Sequence, residues 1–180
     1  EIHANPSADA GLDKAACIGE SIVLADATPD TADVFLWDDG GAGGTFTPSD
    51  TVLNLTYEGA PVGVHVLTLL ATNSTTGCDT VDTLQATIHP EPVVEAGTDK
   101  TGCASAPILL DDADGGAGDG FLWIDNGAGG SFSPKPRVQN PSYSNPRAGF
   151  YTLTVTATVS STGCDSFDSL DVEIDAQPVV

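Results

Sequence analysis

The chain contains the same unit twice. Residues 5–90 return as residues 91–176, 86 positions on, with no insertion or deletion. The two stretches share 37 of 86 aligned residues, among them Ala10-Gly11, Asp13-Lys14, Cys17, Trp37, Tyr57, Gly63, Gly77-Cys78-Asp79 and Ile88 with their copies. A duplication of this length constrains the fold strongly. Each copy must close its own core, and its size suits one small β-sandwich. The best-kept stretch is residues 35–48, repeated as 121–134: Phe-Leu-Trp, an acidic glycine-rich run, a second aromatic and a proline. It reads as strand, turn and strand.

The punctuation is that of an all-β protein. With 20 Gly and 12 Pro, long helices are not expected. Short runs of Val, Ile, Thr, Leu and Phe lie between Gly, Pro, Asn and Asp clusters. Strands are expected at 93–96, 21–25 and 107–111, 34–37 and 121–124, around Phe46 and Phe132, and at 52–57. The clearest strand carries Tyr151, Leu153, Val155, Ala157 and Val159 on one face and Thr152, Thr154, Thr156 and Thr158 on the other. This is period two. The first copy places His65, Leu67, Leu69 and Ala71 inward. The expected fold class is all-β, with two tandem Ig-like antiparallel β-sandwich domains, 5–90 and 91–176. Residues 1–4 match the end of a preceding repeat and 177–180 the start of a following one.

The net charge is −21, from 26 acids against 5 bases. Such a surface repels phosphate backbones and anionic lipid, so no nucleic acid and no direct membrane insertion are expected. The three His show no triad or Cys/His arrangement, and no enzyme is expected. The four cysteines contain no CxxC pair. Cys17 to Cys78 and Cys103 to Cys164 both span 61 residues, so one disulfide per repeat is the simplest pairing. That pairing assumes that the turns bearing each pair share one end of the sandwich. It implies an oxidising compartment and an extracellular, secreted or cell-surface location.

Trp37 and Trp123, with Tyr151, are expected in the core. The acidic loop and the segment beside it, with Asp112, Asp114, Asp119 and Asp125, form the candidate ligand set for calcium, which takes six to eight hard oxygens. No closing Glu completes an EF-hand pattern.

The motifs Ala-Gly-x-Asp-x-x-x-Cys (residues 10–17), Trp through Phe-x-Pro (37–48), Gly-x-His-x-Leu-x-Leu (63–69) and Gly-Cys (77–78), each with its copy, resemble PKD-type Ig-like domains. The likeness is to the Cys-containing PKD-like repeats of large Bacteroidota cell-surface, adhesin-type proteins. His65 departs from the family's Tyr, which Tyr151 retains. The resemblance implies a spacer or adhesive stalk segment. Its partners would be neighbouring repeats of the same or identical chains, and surface glycans or other cells. A self-assembling fibre subunit, by strand exchange or lateral packing, and a calcium- or glycan-binding module are the alternatives. Asp-Thr/Ser-aliphatic triplets at Thr31, Thr51, Thr80, Thr83 and Ser169 look like the O-glycosylation triplet of Bacteroidota secreted proteins.

Overall fold

Alternating strands account for the architecture directly. A computed structural model describes residues 2–177. The chain divides into two units, Glu1–Pro90 and Glu91–Val180. The stretch 177–180, read as the start of a further repeat, lies outside the described residues except for Gln177, as does Glu1. Among the described residues there is no helix, and so none long and apolar enough to cross a membrane.

The first unit runs β1 (Ser7–Asp9), β2 (Lys14–Cys17), β3 (Ile22–Leu24), β4 (Thr28–Asp30), β5 (Val34–Asp38), β6 (Thr45–Thr47), β7 (Leu55–Glu58), β8 (Gly63–Thr72) and β9 (Asp79–His89). One sheet has the order β2-β9-β8-β5 and the other β3-β7-β6, while β1 pairs with β4. The second unit runs β10 (Lys100–Cys103), β11 (Ile108–Leu109), β12 (Gly120–Ile124), β13 (Ser131–Ser133), β14 (Ser142–Ser144), β15 (Gly149–Thr158) and β16 (Asp165–Asp175). Its sheets are β10-β16-β15-β12 and β11-β14-β13.

Both sheets of a unit feed one core. In the first unit Ile22, Leu24, Leu55 and Tyr57 meet Trp37, Leu67, Leu69, Leu84, Ala86 and Ile88. The second core has the same plan, with Leu153, Val155, Leu170, Val172 and Ile174 around Trp123 and Tyr143. Period-two alternation is the reason: Leu67, Leu69 and Ala71 are buried while Val64 and Val66 on the opposite face are exposed. Each fully buried leucine contributes about 2 kcal/mol relative to exposure. The fold class read from the sequence is the one observed.

Several elements differ from the reading. Lys14–Cys17, where the sequence pattern gives no strand, is an edge strand. It runs parallel to β9, with Lys14 opposite Ala86 and Cys17 opposite His89. In the second unit Lys100–Cys103 runs parallel to β16 in the same way. Side chains set this crossing. Asp82 Oδ2 accepts the Ala10 amide at 2.7 Å and Asp13 Oδ1 accepts the Gln85 amide at 2.8 Å. Asp168 and Asp99 do the same for Ala96 and Asp171. Between these acids Gly11 holds φ +94°, and a Cβ there would lie 2.7 Å from the Asp26 carboxyl carbon. The stretch 26–33, where the sequence pattern gives no strand, contains β4 (Thr28–Asp30). The expected strand at 93–96 is reduced to one bridge, Glu95 to Asp114.

Candidate functional site

The repeated tryptophan–glycine stretch is built as a fold element. Trp37 and Trp123 are 2% and 1% exposed. Their indole N–H groups donate to Leu53 O (3.2 Å) and Gln139 O (3.0 Å), so the buried donors are satisfied. Phe46 packs between Trp37 (6.4 Å) and Tyr57 (5.0 Å), and Phe132 between Trp123 (6.3 Å) and Tyr143 (5.1 Å). The turn is held from inside. Asp39 accepts the amides of Gly41 (3.0 Å) and Gly44 (2.9 Å) and the Tyr57 hydroxyl (3.1 Å). Asp125 accepts Gly127, Gly130 and Tyr143 correspondingly.

Electrostatics follow from this geometry. Burial, then the Asp39 carboxylate, pushes the Tyr57 phenol up to about 12. Burial works to raise Asp39, but the Gly44 and Gly41 amides and the Tyr57 hydroxyl outweigh it and hold the carboxyl below its ordinary value. Gly44 is required by packing, because a Cβ there would lie 2.3 Å from the Tyr57 ring. Asp38 and Gly40, which differ from Ile124 and Asn126 in the copy, stay at the exposed lip of the turn. Asn126 adopts φ 52°, a conformation asparagine tolerates.

Tyr151 is half-buried and packs against the second core. Its hydroxyl donates to Arg147 O at 3.0 Å. The substituted His65 makes the same connection, its Nε2–H donating to Pro61 O at 2.7 Å. Imidazole in the first unit thus closes the link that phenol closes in the second.

The four acids chosen as calcium ligands are not brought together. Among the described residues no group of three or more His, Cys, Asp or Glu is placed to hold a metal ion. Asp112 pairs with Lys100 (2.7 Å) and accepts Thr98 N–H (3.0 Å) and O–H (2.7 Å). The Lys100 contact comes first among the causes that hold its carboxyl well below the usual range. Asp119 accepts the Ser160 amide at 2.8 Å, which keeps its carboxyl low. Asp114 accepts Gly116 N–H at 2.9 Å while its backbone bridges Glu95. Asp125 holds the glycine turn. Three of the four have first-copy counterparts in equivalent contacts. Asp26 pairs with Lys14 (2.7 Å), Asp33 accepts Ser74 (2.7 Å), and Asp39 holds its own turn. These acids stitch loops to strands, so their recurrence reflects the fold.

Of the triplet hydroxyls, Thr31, Thr51, Thr83 and Ser169 are exposed and Thr80 is half-buried. Thr83 and Thr80 lie on β9 and Ser169 on β16, whereas Thr31 sits in a turn at φ 62°.

The cysteines require a correction. Cys17 and Cys164 are disulfide-bonded, while Cys78 and Cys103 are free thiols. The pairs Cys17–Cys78 and Cys103–Cys164 are not formed, for a topological reason. Cys17 stands beside His89, the last residue of β9, and Cys78 immediately precedes Asp79, the first. At about 3.3 Å per residue the eleven residues of β9 span roughly 35 Å. A disulfide needs Cα atoms within about 7 Å. Cys103 beside Asp175 and Cys164 before Asp165 are separated in the same way along β16. An antiparallel first strand would have placed each pair at one end; the parallel strand places them at opposite ends.

A scan of protein-family models and a search of curated proteins gave no significant match. Solved structures do match. A three-Ig-domain fragment of titin is 15% identical over 99% of this chain and 68% of its own, with a TM-score of 0.50. At that identity the likeness is one of fold, and it places the units among Ig-like β-sandwiches. The PKD domain from KIAA 1837 protein is 21% identical over 54% of this chain and 99% of its own, with a TM-score of 0.41. A SusE-like surface located polysaccharide binding protein from Bacteroides thetaiotaomicron is 13% identical over 96% of this chain and 35% of its own, with a TM-score of 0.46.

Proposed function

We propose that this chain is an extracellular structural module, a load-bearing stalk segment of a longer PKD-like cell-surface or secreted repeat protein, with no catalytic role. Adhesion to glycans or other cells would belong to the protein that the stalk carries. The observation behind this reading is the parallel pairing of β2 with β9 and of β10 with β16. In each unit a strand near where the chain enters lies beside the strand by which it leaves. Tension along the chain then pulls the two strands past each other. The ladder bonds are loaded together rather than opened one at a time. The bonded Cys17 and Cys164 support an oxidising setting. The charge of −21 supports a well-solvated surface.

Single-molecule pulling in reducing buffer tests this. Ile18 N–H donates to His89 O at 2.9 Å, and alternation puts the Ala16 N–H on the same side of β2. Ala16→Pro therefore removes a ladder donor from the first unit and leaves the second as an internal reference. Two discrete unfolding events are expected in the parent, and one of them should shift to lower force in the variant. Equal rupture forces in both proteins would contradict a load-bearing ladder.

A further inference from the structure

We infer that the outer face of the sheet β2-β9-β8-β5 in the first unit is an interface, and that its occupant is the same face of a second copy of this chain. The first observation is apolar exposure. Alternation sends Val64, Val66 and Leu70 of β8 to the side away from the core. Val34, Leu36 and Val81 join them from β5 and β9, and Leu36, Leu70 and Val81 stand opposite one another in one row across three strands. Val64, Val66 and Val81 are each more than half exposed. Aliphatic side chains gathered on one face in this way mark an interaction surface, whereas scattered ones do not.

The second observation is charge, and it selects the occupant. The chain carries −21. The outward positions of β8 are nevertheless all uncharged, as are those of β9 from Val81 to Thr87. Asp38 and Asp79 stand only at strand ends. The sandwich does not require this. Val66 and Leu70 are matched in the second unit by Thr152 and Thr156, and Gln85 and Thr87 by Asp171 and Glu173. Hydroxyls and carboxylates therefore fit the same positions. A basic partner would be drawn to the acidic surfaces. A second acidic copy is repelled there and can approach closely only where both faces are neutral.

The third observation is size. β8 and β9 have 10 and 11 residues. At about 3.3 Å per residue and 4.8 Å between strands, the four-stranded face measures roughly 35 by 19 Å, or about 600 Å². Two such faces cover about 1,200 Å² in total, at the lower end of specific interfaces. The contact is isologous, sheet on sheet, and closes as a two-fold dimer. Flanking repeats of a longer chain attach ahead of β1 and after His89, at the strand ends, while this face runs along the strands. The inference goes beyond the stalk reading, which holds for single or paired stalks.

Sedimentation of the full chain over a range of concentrations tests it. A monomer–dimer equilibrium is expected. It should strengthen from about 0.1 M to about 1 M sodium chloride, as the reach of charge shortens from about 10 to about 3 Å. Val66→Thr with Leu70→Thr installs the second unit's own residues, so the strand is kept. That pair should weaken the dimer about tenfold or more. Val66→Glu should abolish it by opposing carboxylates across the two-fold axis. Phe150→Val with Phe167→Val, made on the corresponding face of the second unit, should leave it unchanged. A chain monomeric at every concentration and salt overturns the proposal, and so does a dimer that survives Val66→Glu. Loss of the dimer in the phenylalanine variant would place the partner surface on the second unit and overturn it too. So would a dimer shown by non-reducing electrophoresis to be disulfide-linked. The pulling experiment reads single molecules, so its outcome is independent of this one.

Discussion

The Tyr57 hydroxyl donates to Asp39 Oδ2 at 3.1 Å across 18 residues, tying the inside of one sheet to the turn that leaves the other. Tyr57 is fully buried and Asp39 also holds two glycine amides. Tyr57→Phe should destabilise the first unit by about 1 kcal/mol, the usual worth of one hydrogen bond. Asp39→Ala should do more, because buried donors lose their acceptor. Gly44→Ala should lower stability by about 1–3 kcal/mol through overpacking against the Tyr57 ring. Urea denaturation of the full chain measures all three, and an unperturbed Gly44→Ala would disprove the close approach.

His65 and Tyr151 close equivalent corners with different chemistry. His65→Tyr should preserve or raise the stability of the first unit, because the phenol can reach the same carbonyl. His65→Ala should lower it by about 1 kcal/mol. Thermal melts of the two variants against the parent decide the matter.

Acid should weaken the loop ties. Asp26, Asp33, Asp39, Asp112 and Asp119 are all held below the ordinary carboxyl value of 3.8 in the folded chain. Folded values below unfolded ones give stability that is present above 3.8 and lost as pH falls through the folded values. Melting temperature should therefore drop below about pH 4. Protonation also relieves repulsion among the acids, which acts the other way. The difference between the parent and Asp112→Asn isolates the local effect, and it should shrink as the pH falls.

Base should act on the phenols. Tyr57 is raised from 10.0 to about 12, and Tyr143 is raised by burial in the same direction. A raised folded value gives stability that is intact below 10 and lost as pH climbs toward 12. Ultraviolet titration should show Tyr57 and Tyr143 ionising late and together with unfolding. Early ionisation of both would contradict their burial.

Salt should stabilise the chain. With 26 acids against 5 bases, self-repulsion exceeds the attraction within the few exposed ion pairs, such as Lys14–Asp26. Screening shortens the reach of that repulsion to about 8 Å at physiological ionic strength. Melting temperature should rise with sodium chloride.

Much of the fold was legible because it rests on alternation. Leu153, Val155 and Ala157 mark one face of β15 by period alone, and the indoles of Trp37 and Trp123 fall where a sandwich core needs them. The acids were harder to read. Asp112, Asp119 and Asp125 look like cation ligands in a list of residue types. Their partners, Lys100, Ser160 and Gly130, are distant in sequence or are backbone amides that carry no residue signature. The repeat itself held a usable signal, since Asp26, Asp33 and Asp39 recur in register with them.

The sequence alone determined that there are two copies of one all-β unit, which faces of the long strands turn inward, and where the glycine turn must sit. Each of these depends on local period or identity between copies. The tertiary structure decided the direction of Lys14–Cys17. Four residues are too few for alternation to specify a strand, and the bond that aligns them, Asp13 to the Gln85 amide, joins residues 72 apart. Because that strand runs parallel to β9, Cys17 and Cys78 mark opposite ends of their unit, and equal spacing in the sequence does not make them partners.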